Sequence, residues 1–264
     1  MKTSTEKMIA EIDQGIGWMI FNNPARHNAM SLEMYQAVPE IMEAFEQDES
    51  VRVIVLRGAG DKAFVSGADI STFEKQRASA EDTAFWDQTT ERASKVLYET
   101  SKPTIAMING YCMGGGVSLA MSADLRIASE KSRFAVPAAK LGVGYRAHGI
   151  RNLMSVVNPA YVKEIFYTAR QFSAEEALTM GWVNRVLPEE QLEGYVREYA
   201  GTIAANAPLT IRAVKATVNE LLKDPEVRDL DWSEGLVATC FTSEDYVEGR
   251  RAFMEKRKPQ FKGR

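Results

Sequence analysis

Apolar residues recur with two different periods along this chain, and the balance between them changes near its middle. Residues 8–13 and 16–21 are short apolar-rich runs separated by Gly15, the pattern of a β-hairpin. From Ser31 the apolar positions take helical spacing, through Leu32, Met34, Tyr35, Val38, Ile41, Met42 and Phe45, which predicts a helix to about Asp48. Pro39 lies inside that pattern and predicts a kink, because proline has no N–H and its ring crowds the preceding turn. Residues 51–58 and 103–109 read as buried strands, and 124–128 as a third strand. Helices are predicted over 81–100 and, briefly, after Gly114-Gly115-Gly116.

Past residue 148 strand signals nearly vanish. Helical spacing runs through 148–157, 160–168, 174–180, 189–206, 208–222, 227–241 and 244–256. Strand–helix alternation followed by a helical tail predicts an α/β core with a mostly helical C-terminal part. No Gly/Ser/Pro linker, low-complexity tract or clear internal repeat divides the 264 residues, so one continuous folding unit is expected.

Composition narrows the function classes. With 45% hydrophobic and 26% charged residues the chain is globular rather than disordered. A net charge of −4 argues against nucleic acid or an anionic membrane as main partner, although Lys256, Arg257, Lys258, Lys262 and Arg264 form a local basic cluster. Cys112 and Cys240 have no paired spacing, and His27 and His148 are the only histidines, so neither a disulfide framework nor a metal site is expected. No apolar run reaches about 18 residues, so no membrane span is expected. Glu6, Glu11 and Asp13 are out of place in an acid-poor transit peptide, which leaves a cytoplasmic setting as the default.

Candidate chemistry gathers where two buried strands end. Segments 62–70 and 109–118 place small residues, including the triple glycine, just ahead of a helix start, where backbone N–H groups are free to point into a cleft. Two such groups converging on one oxygen would form an oxyanion hole. Taken singly, each loop is equally explained by a tight turn or close packing. Neither has the spacing or the downstream acid of a dinucleotide or Walker fingerprint.

Together with four further segments, these loops resemble the crotonase superfamily (the enoyl-CoA hydratase/isomerase family) in order and spacing. The segments are Asn-Asn-Pro-Ala-Arg-His-Asn-Ala-Met at 22–30, Phe-Ala-Val-Pro-Ala-Ala-Lys-Leu-Gly at 134–142, the stretch 168–183, and the ending from Ser243 to Pro259. The resemblance implies an α/β spiral of ββα units over residues 1–190 holding an acyl-CoA site. It implies a helical region over 191–264 that drives assembly of a homotrimer, or a hexamer as a dimer of trimers. The substrate would be a coenzyme A thioester, with no separate cofactor. The N–H groups of Ala68 and Gly115 would bind the thioester oxygen and stabilise an enolate. Ala25, Arg26 and His27, with Ala68, Asp69 and Ile70, align with loops around the coenzyme. Phe253 and Lys256 align with residues that reach it from a neighbouring subunit. By residue type alone, Arg26 and Lys256 also read as solvated charges, His27 as a loop-packing residue and Asp69 as a helix cap.

The chain departs from the family where proton transfer would occur. The hydratases carry one glutamate two residues after the triple glycine and another after the proline of the Phe-x-x-Pro segment. Here those positions hold Ser118 and Ala138, neither of which is a proton-transfer base near neutral pH. Efficient hydration is therefore not expected. The polar candidates left to face the acyl group are Tyr145, Arg146 and His148, in a stretch that resembles methylmalonyl-CoA decarboxylases. Those enzymes have histidine in place of Ala68 and glutamate in place of Ser118. Decarboxylation yields an enolate without a base, and a tyrosine or arginine could orient the departing carboxylate. Arg146 also reads as a structural ion-pair partner, His148 as a cap, and Cys112 as a small buried thiol. The alternatives to an enolate-stabilising enzyme are thus a malonyl-type decarboxylase and a catalytically silent acyl-CoA binder. Relatives that bind RNA use a lysine-rich helix, and only short terminal clusters here are comparable.

Overall fold

The computed structural model describes residues 1–69 and 79–264, with the backbone alone at His148. Strands β1 (Met8–Asp13) and β2 (Ile16–Phe21) form the hairpin, in register Asp13↔Ile16. Gln14 and Gly15 join them with φ of 51° and 82°, the positive pair that a two-residue hairpin turn requires. Helix α1 (Leu32–Gln47) buries Met34, Tyr35, Ala37, Val38, Ile41, Met42 and Phe45 on one side and runs on through Pro39 as a single helix.

Two sheets follow from the same stretch of chain. β3 (Val53–Gly58), β5 (Thr104–Ile108), β7 (Leu125–Ser129) and β10 (Arg185–Leu187) extend the hairpin into a six-stranded sheet ordered β1-β2-β3-β5-β7-β10. Every pairing beyond β1–β2 in that sheet is parallel. β4 (Ala63–Val65), β6 (Tyr111–Met113), β8 (Arg133–Ala135) and β9 (Phe172–Ser173) make a second sheet. The chain therefore visits the sheets alternately, β3 then β4, β5 then β6, β7 then β8, which is a spiral of repeating units. The strands of the second sheet are too short to show an alternating pattern, which is why periodicity misses them. β9 and β10 are likewise strands inside a region that reads as helical.

Both faces of the first sheet are covered. Ile54 and Leu56 of β3 enter the main core with Phe21, Phe64, Phe134, Phe172 and Trp182. Val53 and Val55, alternate residues of the same strand, join Trp18, Ile105 and Ile127 in a second cluster. Helix α7 (Glu189–Ala204) closes that cluster with Leu192, Val196 and Ala200. Double burial is the physical reason these strands read as apolar runs. It also means that the first helix of the helical region packs on the sheet.

The helices around this core are α2 (Ala80–Glu99), α3 (Gly115–Met121), α4 (Ala147–Met154), α5 (Pro159–Thr168) and α6 (Ala174–Thr179). The chain ends in α8 (Pro208–Leu221), α9 (Leu230–Thr242) and α10 (Glu244–Glu255). The helix predicted over 148–157 stops at Met154, and the one predicted from 227 is preceded by a 3-10 turn at Pro225–Val227. Among the described residues no helix is long and apolar enough to cross a membrane.

Candidate active site

The loop from Asn22 to Met30 is fixed by a buried asparagine. Asn28, with φ 55° and no exposed surface, accepts from the Asn23 N–H at 2.9 Å and donates to the carbonyls of Ala59 at 3.0 Å and Ala63 at 2.7 Å. Removing that side chain would strand two carbonyls, at about 1–3 kcal/mol each. The loop is then tied to the one after β4. The Ser66 N–H donates to His27 O, and the Met30 N–H donates to Gly67 O. The Asp69 N–H donates in turn to Met30 O, and the Arg26 guanidinium pairs with the Asp69 carboxylate at 3.6 Å.

This pairing sets the direction of one candidate donor. Gly67 offers its carbonyl and Asp69 its N–H to Met30, so the N–H of the intervening Ala68 points away from Met30. Gly115, the first residue of α3, lies on that other side. Its N–H is among the helix-opening groups that have no intrahelical acceptor; the Ser118 N–H makes the first such bond, to Gly114 O at 3.2 Å. The point where a Gly115 Cβ would stand is 3.8 Å from Ala68 N. Among the described residues no acceptor meets either N–H. The structure thus places Ala68 N close to Gly115 at the start of α3.

The three consecutive glycines are required for different reasons. Gly114 turns the chain into α3 with φ 49° and ψ −110°, a conformation closed to residues bearing a Cβ. A Cβ on Gly116 would overlap the Val65 carbonyl, because α3 starts directly against β4. A Cβ on Gly115 would overlap the Tyr35 hydroxyl. Tyr35 is the site neighbour that sequence reasoning missed, since its only signal was membership of the apolar stripe of α1.

Ser118, one turn into α3, meets Tyr145. The two hydroxyls are 3.1 Å apart, and the tyrosine ring packs edge-on against Phe166 with centroids 4.8 Å apart. Burial pushes the Tyr145 hydroxyl above the ordinary phenol pKa, only partly offset by the Ser118 hydrogen bond. Ala138 is buried in a 3-10 turn at Pro137–Lys140 and presents only its methyl group. Cys112 is fully buried, and its thiol is pushed well above its usual range by desolvation, as a structural cysteine is.

The remaining candidates separate. Arg146 is exposed and turned onto Asp87 of α2, with Nε at 3.1 Å from the carboxylate and a second bond from NH2. His148 belongs to α4 by its backbone, while its side chain and all of Ile70 lie outside the described residues. Ala25 and Arg26 lie in an exposed 3-10 turn, Pro24–Arg26, which the exposed His27 ends at φ 50°. The His27 ring is 6.1 Å from Tyr111, and both line a cavity of about 340 Å³ with Asp61, Lys62, Lys131 and Arg133. Phe253, 82% exposed, borders an apolar groove of about 860 Å³ between α8, α9 and α10, with Val218, Phe241 and Tyr246. Lys256 caps the end of α10 at φ 53°.

Comparison with known proteins agrees with this architecture over its whole length. Residues 11–264 match the family model described as enoyl-CoA hydratase/isomerase. The chain is 32% identical over 256 residues to a crotonyl-CoA hydratase from Syntrophomonas wolfei, covering 97% of this chain and 98% of that protein. It is 35% identical over 243 residues to a carnitinyl-CoA dehydratase from Salmonella enteritidis, covering 90% and 91% respectively. Its fold is similar to the crystal structure of an enoyl-CoA hydratase/carnithine racemase from Magnetospirillum magneticum, with a TM-score of 0.94 and 34% identity over 99% of this chain and 97% of that one. The spiral of paired strands and these matches place the chain in the enoyl-CoA hydratase/isomerase family, with the crotonase fold.

Proposed function

We propose that the protein transforms acyl thioesters of coenzyme A by holding an enolate oxygen between the N–H groups of Ala68 and Gly115, with no carboxylate base at the reacting carbons. The observation that supports this reading is the closeness of the two loops: the point of a Gly115 Cβ lies 3.8 Å from Ala68 N, and neither N–H has an acceptor among the described residues. Negative charge develops on the thioester oxygen in the transition state, so donors fixed in advance stabilise it more than they stabilise the ground state. Each is worth about 10²–10³ in rate. The basic cavity beside His27, lined by Lys62, Lys131 and Arg133, supports binding of the coenzyme's phosphates. The exposed groove at Phe253 supports coverage by a second copy of the chain, in a trimer or a hexamer.

Hydration, suggested by the names of the relatives, would need an acid and a base where Ser118 and Ala138 stand. A second reading is favoured by Tyr145. Its buried hydroxyl stays protonated, so it serves as a donor rather than a base. Decarboxylation of a malonyl-type thioester fits that state. The bond to the carboxylate breaks, its electron pair moves into the thioester carbonyl, carbon dioxide leaves, and the α-carbon takes a proton. The ion pair with Asp87 supports a structural role for Arg146, between α4 and α2.

The test isolates one donor. A Cβ at position 115 overlaps the Tyr35 hydroxyl but lies 3.8 Å from Tyr35 Cζ, an ordinary contact. In a Tyr35→Phe background, Gly115→Ala therefore keeps the N–H and Gly115→Pro removes it, proline being tolerated at the first position of a helix. Thioester turnover about 10²-fold lower in the proline variant supports the reading. Equal turnover contradicts it, and no turnover by any form against a panel of thioesters leaves only a silent binder.

A further inference from the structure

Tyr35 occupies an unusual place for a residue of an apolar stripe. Its neighbours on that face of α1 are Met34, Val38 and Ile41, and its ring, 4% exposed, stands edge-on to Trp86 at 5.8 Å and 76°. A phenylalanine would fill the same volume without a polar tip that needs a polar setting. The hydroxyl is delivered to the donor loops. It abuts the Cα of Gly115, and the point it crowds is 3.8 Å from Ala68 N. Gly115 has no positive φ that would demand glycine, and among the described residues it is the Tyr35 hydroxyl that excludes a side chain there. Ser118 follows three residues later on the same helical face and is met by Tyr145. The first turn of α3 is thus bracketed by two phenols.

We propose that Tyr35 is a third donor of the oxyanion site, hydrogen-bonding the thioester oxygen beside the N–H groups of Ala68 and Gly115, and that position 115 is glycine to admit its hydroxyl. The proposal rests on the enolate reading given above. A phenol suits the task because it is neutral at physiological pH and its O–H rotates to its acceptor. An enolate oxygen has lone pairs for a third bond, and that bond strengthens as charge grows. The reacting carbons are not touched, so Tyr35 transfers no proton.

The experiment reads enolate stability without turnover. Acetoacetyl-CoA is titrated with pH on the enzyme, and its enolate is followed by ultraviolet absorbance. Wild type should form enolate at lower pH than the free thioester. Tyr35→Phe, which keeps the ring on Trp86, should raise the midpoint by about one pH unit, a tenfold loss, while coenzyme A itself binds as before. An unshifted midpoint in Tyr35→Phe, with wild type still lowering it, overturns the role of Tyr35 alone. A wild type that does not lower the midpoint overturns the enolate reading and this proposal with it. Gly115→Ala should lower the thermal midpoint, and Tyr35→Phe/Gly115→Ala should recover it. Failure to recover refutes the contact, and a Tyr35→Phe variant that does not fold marks the hydroxyl as structural and ends the proposal.

Discussion

The Tyr145 hydroxyl lies 3.1 Å from Ser118 Oγ, at the helix position where the family's hydratases carry a carboxylate. Two hydroxyls meet at the position to which the sequence resemblance assigns a hydratase carboxylate, and burial keeps the phenol protonated by raising its pKa above the ordinary 10.0. The site can therefore donate a proton near neutral pH but has no carboxylate at 118 or 138 to remove one.

Tyr145→Phe should lower kcat by about 10²-fold, at the low end of general-acid contributions, and leave coenzyme A affinity nearly unchanged. The sign of the pH dependence follows from the raised pKa. The active, protonated form persists through neutral pH, so any loss due to Tyr145 is confined to the alkaline range, at higher pH than for an ordinary phenol. A kcat profile with a limb near pH 7 that disappears in Tyr145→Phe would mean the hydroxyl titrates in a different environment.

Gly149→Ala tests how the tyrosine is seated. An added Cβ would stand 2.9 Å from Tyr145 Cε1. Replacing a helical glycine by alanine gains about 1 kcal/mol in propensity, while overpacking costs about 1–3 kcal/mol, so the clash prevails or nearly cancels the gain. The ring is already confined by Phe166 and must shift. Turnover should fall toward that of Tyr145→Phe with only a small decrease in thermal midpoint. Full activity would show that the seat is loose.

Assembly is checked by sedimentation. Phe253, Phe241, Val218 and Val247 are exposed on the terminal helices, an apolar set that a second copy of the chain would cover. A species of at least three chains is expected, and Phe253→Asp should weaken it. A single species near 29.4 kDa would contradict the expectation.

The large features of the fold were legible because they rest on burial of whole faces. β3 and β5 are covered on both sides, by the main core and by α7, and so read as apolar runs, while β7, covered in the same way, also buries Arg126. The triple glycine was visible as a helix-opening loop, yet each glycine answers a different contact, with backbone torsion at Gly114, Tyr35 at Gly115 and Val65 at Gly116. Such contacts join residues far apart in the chain and leave no local periodicity. For the same reason Tyr35 reads as core and Arg146 as a site residue, until α2 brings Asp87 to it. The three-residue strands of the second sheet are too brief for any pattern to register.

The account stands or falls on what one preparation does with two substrates. Loss of enoyl absorbance from crotonyl-CoA and release of carbon dioxide from a malonyl- or methylmalonyl-type thioester are measured side by side. With Ser118 and Ala138 in place of carboxylates and Tyr145 held protonated, hydration should be very slow and carbon dioxide release faster. Hydration with kcat/KM on the order of 10⁶ M⁻¹s⁻¹ would show an acid and a base at work that this site does not contain.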